Sequence, residues 1–395
     1  MDSKESPRLH ECLRYALDQE ATSIHIDVGT RRATCRIARD IFPLELYPPQ
    51  ELSLLVHTIK KHAQLDLEDT RLPQMGIFHF THETLGKHQV DVSLSPGPFG
   101  EHLTLRFCPL VLRVEHSLEE LGMDTRQLAN WKKAIQKREG MILVTGSVFD
   151  GKNTTIYSTL LALQAMGRNI ATIEKLPRND LPGIHQTQIN EDIGLNEGAL
   201  LRSFQYADFD TIYVRELMDF ETVQLAFREV LSHGNLLFST LHTHSAAAAF
   251  ARLLNMGFEP YLLAEAITLV QGQRRIRRLC DACKKPTHAE AQIFQRQGFL
   301  PEELETLQPF QFHMPVGCET CHQTGFRGSV LVCESLPVTQ EIHNLVATAQ
   351  HRHLRLNEEI EKLAVQQGMK TLKRHALEKA ASGDLALKDF FLHFT

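Results

Sequence analysis

No apolar run in this sequence approaches the roughly 20 residues needed to cross a bilayer, so no membrane-spanning helix is expected. The opening residues, MDSKESPRLHECLRY, lack the apolar segment of a secretory signal, and a cytoplasmic location is the expectation. Positive charge is not in excess. With 42 Lys and Arg against 48 Asp and Glu, the net charge of −6 gives no reason to expect nucleic-acid binding. A disulfide framework is also not expected. Of the eight cysteines, Cys12, Cys35, Cys108 and Cys333 stand alone and read as small core residues.

What is present is enough for several domains. A chain of 395 residues, 43% hydrophobic and 23% charged, supports two or three cores. Residues 8–110 read as a small α+β domain. Helical periodicity covers Glu11 to Asp18 and Glu51 to Gln64, and strands are expected at Ala21–Val28, Arg32–Ala38, Gly76–Thr81, Gln89–Ser95 and Glu101–Phe107. His25, on an alternating strand, reads as structural. Asp66, Glu68 and Asp69 read as a solvated turn. Residues 111–119 read as a linker. Ser117 and Glu120 have capping-box spacing ahead of a helix expected to reach about Lys137.

The chain is organised around MILVTGSVFDGKNTTIY, Met141 to Tyr157: an apolar strand, a glycine-bounded loop and a helix start. Gly146, Gly151 and Lys152 have the phosphate-loop spacing G-x-x-x-x-G-K. There, backbone N–H groups and the lysine ammonium surround a phosphate at a helix N-terminus. The candidate nucleotide contacts are Gly146, Ser147, Asp150, Gly151, Lys152, Asn153 and Thr154. Two features oppose that chemistry. A Ser or Thr hydroxyl should follow the lysine to ligate Mg²⁺, and the residue is Asn153. Asp150 places a carboxylate where phosphate should sit. Thr154 is adjacent, but a helix turns its side chain roughly 100° away. Further strands at Asn169–Ile173, Thr211–Val214 and Leu236–Ser239 alternate with helices, which implies a mainly parallel α/β sheet. Glu174, Glu216 and His242 follow strand ends, where ligands bind in such sheets, and are the candidate catalytic groups.

Cys280, Cys283, Cys318 and Cys321 form C-x-x-C…C-x-x-C, with 34 residues between the pairs (318 − 283 − 1). Four thiolates suit a structural zinc; a disulfide pair is the competing reading. The long gap makes residues 280–321 an inserted subdomain. Arg274, Arg275, Arg277 and Arg278 ahead of it read as a solvated basic face, with a subunit contact or acidic lipid head groups as alternatives. Residues 338–394 read as helical, with a turn near Ser382-Gly383-Asp384.

The order of these motifs resembles the secretion and pilus-assembly ATPase family, the hexameric motors of type II secretion and type IV pili. The runs RLPQMG (Arg71 to Gly76), LPGIHQTQIN (Leu181 to Asn190), STLHT (Ser239 to Thr243), CHQTGFRG (Cys321 to Gly328) and QQGMKTL (Gln366 to Leu372) carry the likeness, over nearly the whole chain. It implies a small α+β, PAS-like domain, then a RecA-like P-loop ATPase domain over 120–395 with an inserted zinc module and a closing helical bundle. It also implies ATP and Mg²⁺, a ring of subunits, and an inner-membrane platform protein as partner, with the zinc module as a contact. The departures from the family pattern are Val148, Phe149 and Asp150 in the loop, Asn153 for Ser/Thr, and Lys175 for Asp. Arg215 stands for Gly, Met218 for Arg and Asn235 for His. Tyr206, Ser93 and Ile77 occupy arginine positions. The expectation is a divergent member with a weakened nucleotide site. It would serve as a partner or regulatory subunit, in a homo-oligomer or in a mixed hexamer with an intact relative, in the cytoplasm or at the inner membrane. The alternatives are an active motor and a nucleotide-free structural adaptor.

Overall fold

The computed structural model describes residues 7–19, 21–37, 40–44, 48–109, 117–175, 177, 180–217, 219–289, 291–296, 299, 312–321, 323–349 and 355–394. Residues 111–116 of the expected linker and Met218 lie outside the described residues. The chain divides near residue 113 into two compact units.

The first unit is an antiparallel sheet with two helices. Its strands are β1 (Ala21–Asp27), β2 (Arg32–Ile37), β3 (Asp40–Pro43), β4 (Gln74–His82), β5 (Gly86–Gly97) and β6 (Gly100–Pro109), in the order β3-β2-β1-β6-β5-β4. Helices α1 (Pro7–Asp18) and α2 (Leu52–His62) supply Leu9, Leu13, Val56 and Ile59 to one core with Ile24, Ile26, Val92 and Leu105 of the strands. His25 is structural: its ring nitrogens meet the hydroxyls of Ser23 (3.1 Å) and Thr104 (3.2 Å). Asp66 accepts the N–H groups of Glu68 and Asp69, as a turn carboxylate does.

The second unit is a seven-stranded sheet. Its strands are β7 (Gly140–Thr145), β8 (Ile170–Glu174), β9 (His185–Gln188), β10 (Thr211–Val214), β11 (Leu236–Leu241), β12 (Ile267–Leu279) and β15 (Phe326–Pro337). They run in the order β15-β12-β7-β11-β10-β8-β9, all parallel to their neighbours except the antiparallel pair β12 and β15. On β7, Met141 and Leu143 enter the core on one face, while Ile142 and Val144 enter the core on the other. A strand covered on both faces must be apolar throughout, which is why it reads as a continuous run. Helices α3 (Thr125–Ile135), α4 (Lys152–Ala165), α5 (Glu197–Phe204), α6 (Phe220–Leu231), α7 (Ala248–Asn255) and α8 (Pro260–Ala266) accompany the sheet. The only tryptophan, Trp131 of α3, is fully buried and donates from Nε1 to Thr159 of α4 at 3.0 Å.

Two expectations are corrected here. The helix predicted from Ser117 to Lys137 is broken. Ser117 caps only a short turn, Leu118–Leu121; Gly122 at φ 88° reverses the chain; Asp124 then caps α3 through the N–H of Gln127. The basic run is a solvated face only in part. Arg277 bonds Asp389 at 2.8 Å and lies 3.8 Å over the Phe326 ring. Arg274 donates to the His393 carbonyl, and Arg278 pairs with Asp281 (3.3 Å) and Asp384 (3.4 Å). Arg274 and Arg277 thus fasten the last helix, while Arg278 remains exposed at the surface.

A small insertion leaves the sheet at the end of β12 and returns at the start of β15. It holds the strand pair β13 (Lys285–Thr287) and β14 (Phe312–Met314) and a short helix, α9 (Ala291–Gln295). Helices α10 (Gln340–Ala347), α11 (Leu356–Gln366), α12 (Leu372–Ala381) and α13 (Leu387–Phe394) end the chain, with the turn at Gly383 (φ 77°). Phe294, Phe312, Leu377 and Phe390 form a core between this insertion and the last two helices.

Candidate nucleotide and metal sites

The loop Gly146–Gly151 lies between β7 and α4, at the C-terminal edge of the parallel strands. Gly146 has no room for a side chain, since a Cβ would fall 2.5 Å from the Gln273 carbonyl of β12. Phe149 holds φ 70°, a backbone conformation that favours glycine. Lys152 is the first residue of α4. Its Nζ donates to the carbonyls of Gly146 (2.8 Å) and Ser147 (2.9 Å) and reaches His242 Nδ1 at 3.5 Å. His242 Nε2 in turn contacts Glu216 Oε1 at 3.0 Å. With Nδ1 accepting from the lysine, the imidazole carries its proton on Nε2 and donates it to Glu216. Burial pulls the Lys152 pKa below its ordinary range, against the opposing charges of Asp150 and Glu216; Arg215 adds to the lowering.

Lys152, Glu216 and His242 are thus brought together, as their positions after strand ends predict. Glu174 is not. It is the last residue of β8, has no exposed surface, and accepts from the Tyr157 hydroxyl, from Thr172 Oγ1 (2.9 Å) and from Gln186 Nε2 (3.5 Å). Its described hydrogen bonds go to these three groups and none goes to Lys152, Glu216 or His242.

Asp150 also differs from expectation. It is 1% exposed, and its oxygens accept the N–H groups of Ser147 (2.7 Å) and Arg275 (3.3 Å). Gln273 Nε2 donates to the Asp150 carbonyl at 2.8 Å, and Gln273 Oε1 accepts from Thr155 Oγ1 at 3.1 Å. The carboxylate staples the loop to β12. Asn153 is half-buried, and its Oδ1 accepts from the Tyr213 hydroxyl at 3.4 Å. Thr154 is exposed. Tyr157, Tyr213, Gln186 and Gln273 are functional-site residues that the sequence reading did not name. No local pattern marks them, because each acts through a partner remote in sequence.

The family pattern implies Mg²⁺ at this loop, where the candidate oxygens are those of Asn153, Glu174 and Glu216. Mg²⁺ demands near-octahedral oxygen ligands. Asn153 Oδ1 is turned to Tyr213, Glu174 is sealed in the core, and Glu216 is engaged by His242.

The four cysteines converge. Their sulfurs lie within 4.8 Å of one another, with Cys280–Cys318 at 3.9 Å, Cys283–Cys321 at 3.8 Å and Cys318–Cys321 at 3.7 Å. These are not disulfide lengths. A tetrahedron with Zn–S of ~2.3 Å has edges of about 3.8 Å, so the residues fit a zinc ion held by four thiolates. Backbone N–H groups of Gly317, Cys318 and Gly325 point at the Cys283 and Cys321 sulfurs. Burial raises the Cys321 thiol pKa, but the donors from Cys318 and Gly325 outweigh it and bring it to about 6. Such a site supplies folding energy to the insertion and leaves no open coordination position. The lone cysteines Cys12, Cys35, Cys108 and Cys333 are all buried.

The family description "Type II/IV secretion system protein" matches residues 3–392. The type IV pilus assembly ATPase PilB of Myxococcus xanthus is 35% identical over 379 residues; the alignment covers 95% of this chain and 65% of that protein. The type II secretion system protein E of Aeromonas hydrophila is 32% identical over 385 residues, covering 96% and 74%. Among solved structures, the ATPase DotB of Legionella pneumophila superposes with a TM-score of 0.70 at 16% identity, covering 99% of this chain and 96% of that one. The pilus retraction motor PilT with bound ADP superposes with a TM-score of 0.60 at 21% identity, covering 97% and 96%. At those identities the structures speak for the fold alone; the tetracysteine cluster is a feature of this chain's own structure.

Proposed function

This chain belongs to the type II/IV secretion system protein family, and from that premise we propose that it is a nucleotide-binding but hydrolysis-impaired member, acting as a partner or regulatory subunit of a pilus or secretion apparatus. One observation supports the reading: Asn153 Oδ1 accepts from Tyr213, Glu174 is enclosed by Tyr157, Thr172 and Gln186, and one oxygen of Glu216 is taken by His242. The substitutions at Lys175, Asn235 and Tyr206 point the same way; Tyr206, 90% exposed, carries no charge where the resemblance expects an arginine. Losing one transition-state donor costs about 2.7–4 kcal/mol, and an arginine finger is worth about 10³–10⁵ in rate. The intact cysteine cluster argues that the fold is maintained for use, with zinc as a structural ion. No described helix is long and apolar enough to cross a membrane. The reading therefore places the protein in a homo-oligomer or a mixed hexamer with an intact relative, on the cytoplasmic side of a platform protein. Steady-state ATP hydrolysis by the purified oligomer tests it. Turnover at background, unchanged by Lys152→Ala, is expected; robust turnover that Lys152→Ala abolishes would overturn it.

The second reading is a working assembly motor. The assembled chain Lys152–His242–Glu216 favours it, because Glu216 could still orient a water through the imidazole.

A further inference from the structure

We propose that Gln273 is a positioning residue for polyphosphate binding: it latches the phosphate loop to β12 and so holds the left-handed turn at Phe149 in the shape that presents the loop's N–H groups. The inference rests on the nucleotide-binding half of the reading above and is independent of turnover.

Three observations carry it. The first is the course of β12. Strand β7 ends at Thr145, which pairs with Gly272, while β12 continues to Leu279. Gln273 and Arg275 therefore run alongside the loop that follows β7. The approach is close, since a Cβ on Gly146 would fall 2.5 Å from the Gln273 carbonyl.

The second is the bonding of the Gln273 side chain. It has no exposed surface, and both of its ends are used. Nε2 donates to the Asp150 carbonyl at 2.8 Å, and Oε1 accepts from Thr155 Oγ1 at 3.1 Å. A carbonyl can only accept, so the amide has one orientation, and the hydroxyl on α4 fixes it from the other side. The side chain bridges the loop to the first turn of the helix. Asp150 adds a second tie: its carboxylate accepts the N–H of Ser147 at 2.7 Å within the loop and that of Arg275 at 3.3 Å on β12. Buried bonds of this kind are costly to leave unmade.

The third is strain. Phe149 holds φ 70°, a conformation that a residue with a side chain enters only at a cost. Such a residue persists where the surrounding structure over-determines it. Val148 and Phe149 are 58% and 43% exposed, so the tip of the loop is weakly packed. The next residue, Asp150, is the one that Gln273 and Arg275 hold. A loop held in advance does not have to be ordered by its ligand, and affinity is gained there.

Calorimetric titration of the intact oligomer with adenylyl imidodiphosphate in excess Mg²⁺ tests this. Gln273→Leu should weaken binding about tenfold, the size of the lost hydrogen bonds. In a Phe149→Gly background, where the turn no longer needs holding, the same change should cost about threefold or less. A purely structural role for Gln273 gives the same loss in both backgrounds, and that result overturns the inference while leaving nucleotide binding intact. So does Gln273→Leu binding as the wild type does. Emission from the buried Trp131 reports whether each variant is folded. If Gln273→Leu does not fold, Thr155→Val, which removes only the hydroxyl that anchors the amide, takes its place. It should weaken binding about threefold alone and hardly at all with Phe149→Gly, and the same two results overturn the inference. No binding by the wild type overturns the nucleotide-binding reading itself.

Discussion

At the residue scale the chain places acids in two opposite situations. Asp150 is buried and stapled by N–H donors inside a phosphate loop, where the sequence alone suggests repulsion. Nothing local reveals this, because its partner at Arg275 is 125 residues away. The joining of Lys152, His242 and Glu216 was legible, since residues just past parallel strand ends share one edge. Glu334 of β15 is the other situation. It is fully buried, accepts the N–H groups of Ala246 (2.6 Å) and Leu372 (3.0 Å), and ties the segment after His242 to the start of α12. Burial outweighs those donors and pushes its pKa up to about 7 from 4.5. Between those values the folded chain keeps a proton that the unfolded chain has released. Its contribution to stability is therefore full below the lower value and lost as pH rises through the upper one, by about 3 kcal/mol in all. Denaturation midpoints measured from pH 5 to 8 should fall with this slope in the wild type. Glu334→Gln should flatten it; an unchanged slope would show that the carboxyl does not titrate in that window.

At the element scale β12 does the most. It pairs with β7, carries Gln273 and Arg275 to the loop, and ends one residue before Cys280. From Arg275 to Cys280 is about 17 Å of extended chain at ~3.3 Å per residue. Cys283→Ser should lower zinc from one equivalent per chain to near none by elemental analysis. Because Phe294 and Phe312 share a core with α12 and α13, it should also raise hydrogen exchange in those helices. Loss of zinc with no change in exchange would mean that the aromatic core alone holds the insertion. Strands β7, β10 and β11 were legible as apolar runs. Strands β12 and β15 were not; on β12, Gln271, Gln273 and four arginines interrupt the pattern. The break at Gly122 was likewise missed, since the capping signal at Ser117 was genuine but served a single turn.

At the scale of the whole molecule, the two units have separate hydrophobic cores, with no core residue in common. Calorimetry should resolve two transitions, and ligands of the phosphate loop should move only the one belonging to the second unit. A single transition that shifts as one would show the units to be thermodynamically fused. The lone indole makes this separable by light. Trp131 sits in the second unit with no exposed surface, so its emission stays blue while that unit is folded and reddens when water reaches it. The chain carries its own optical label on one half, and the other half is dark at that wavelength.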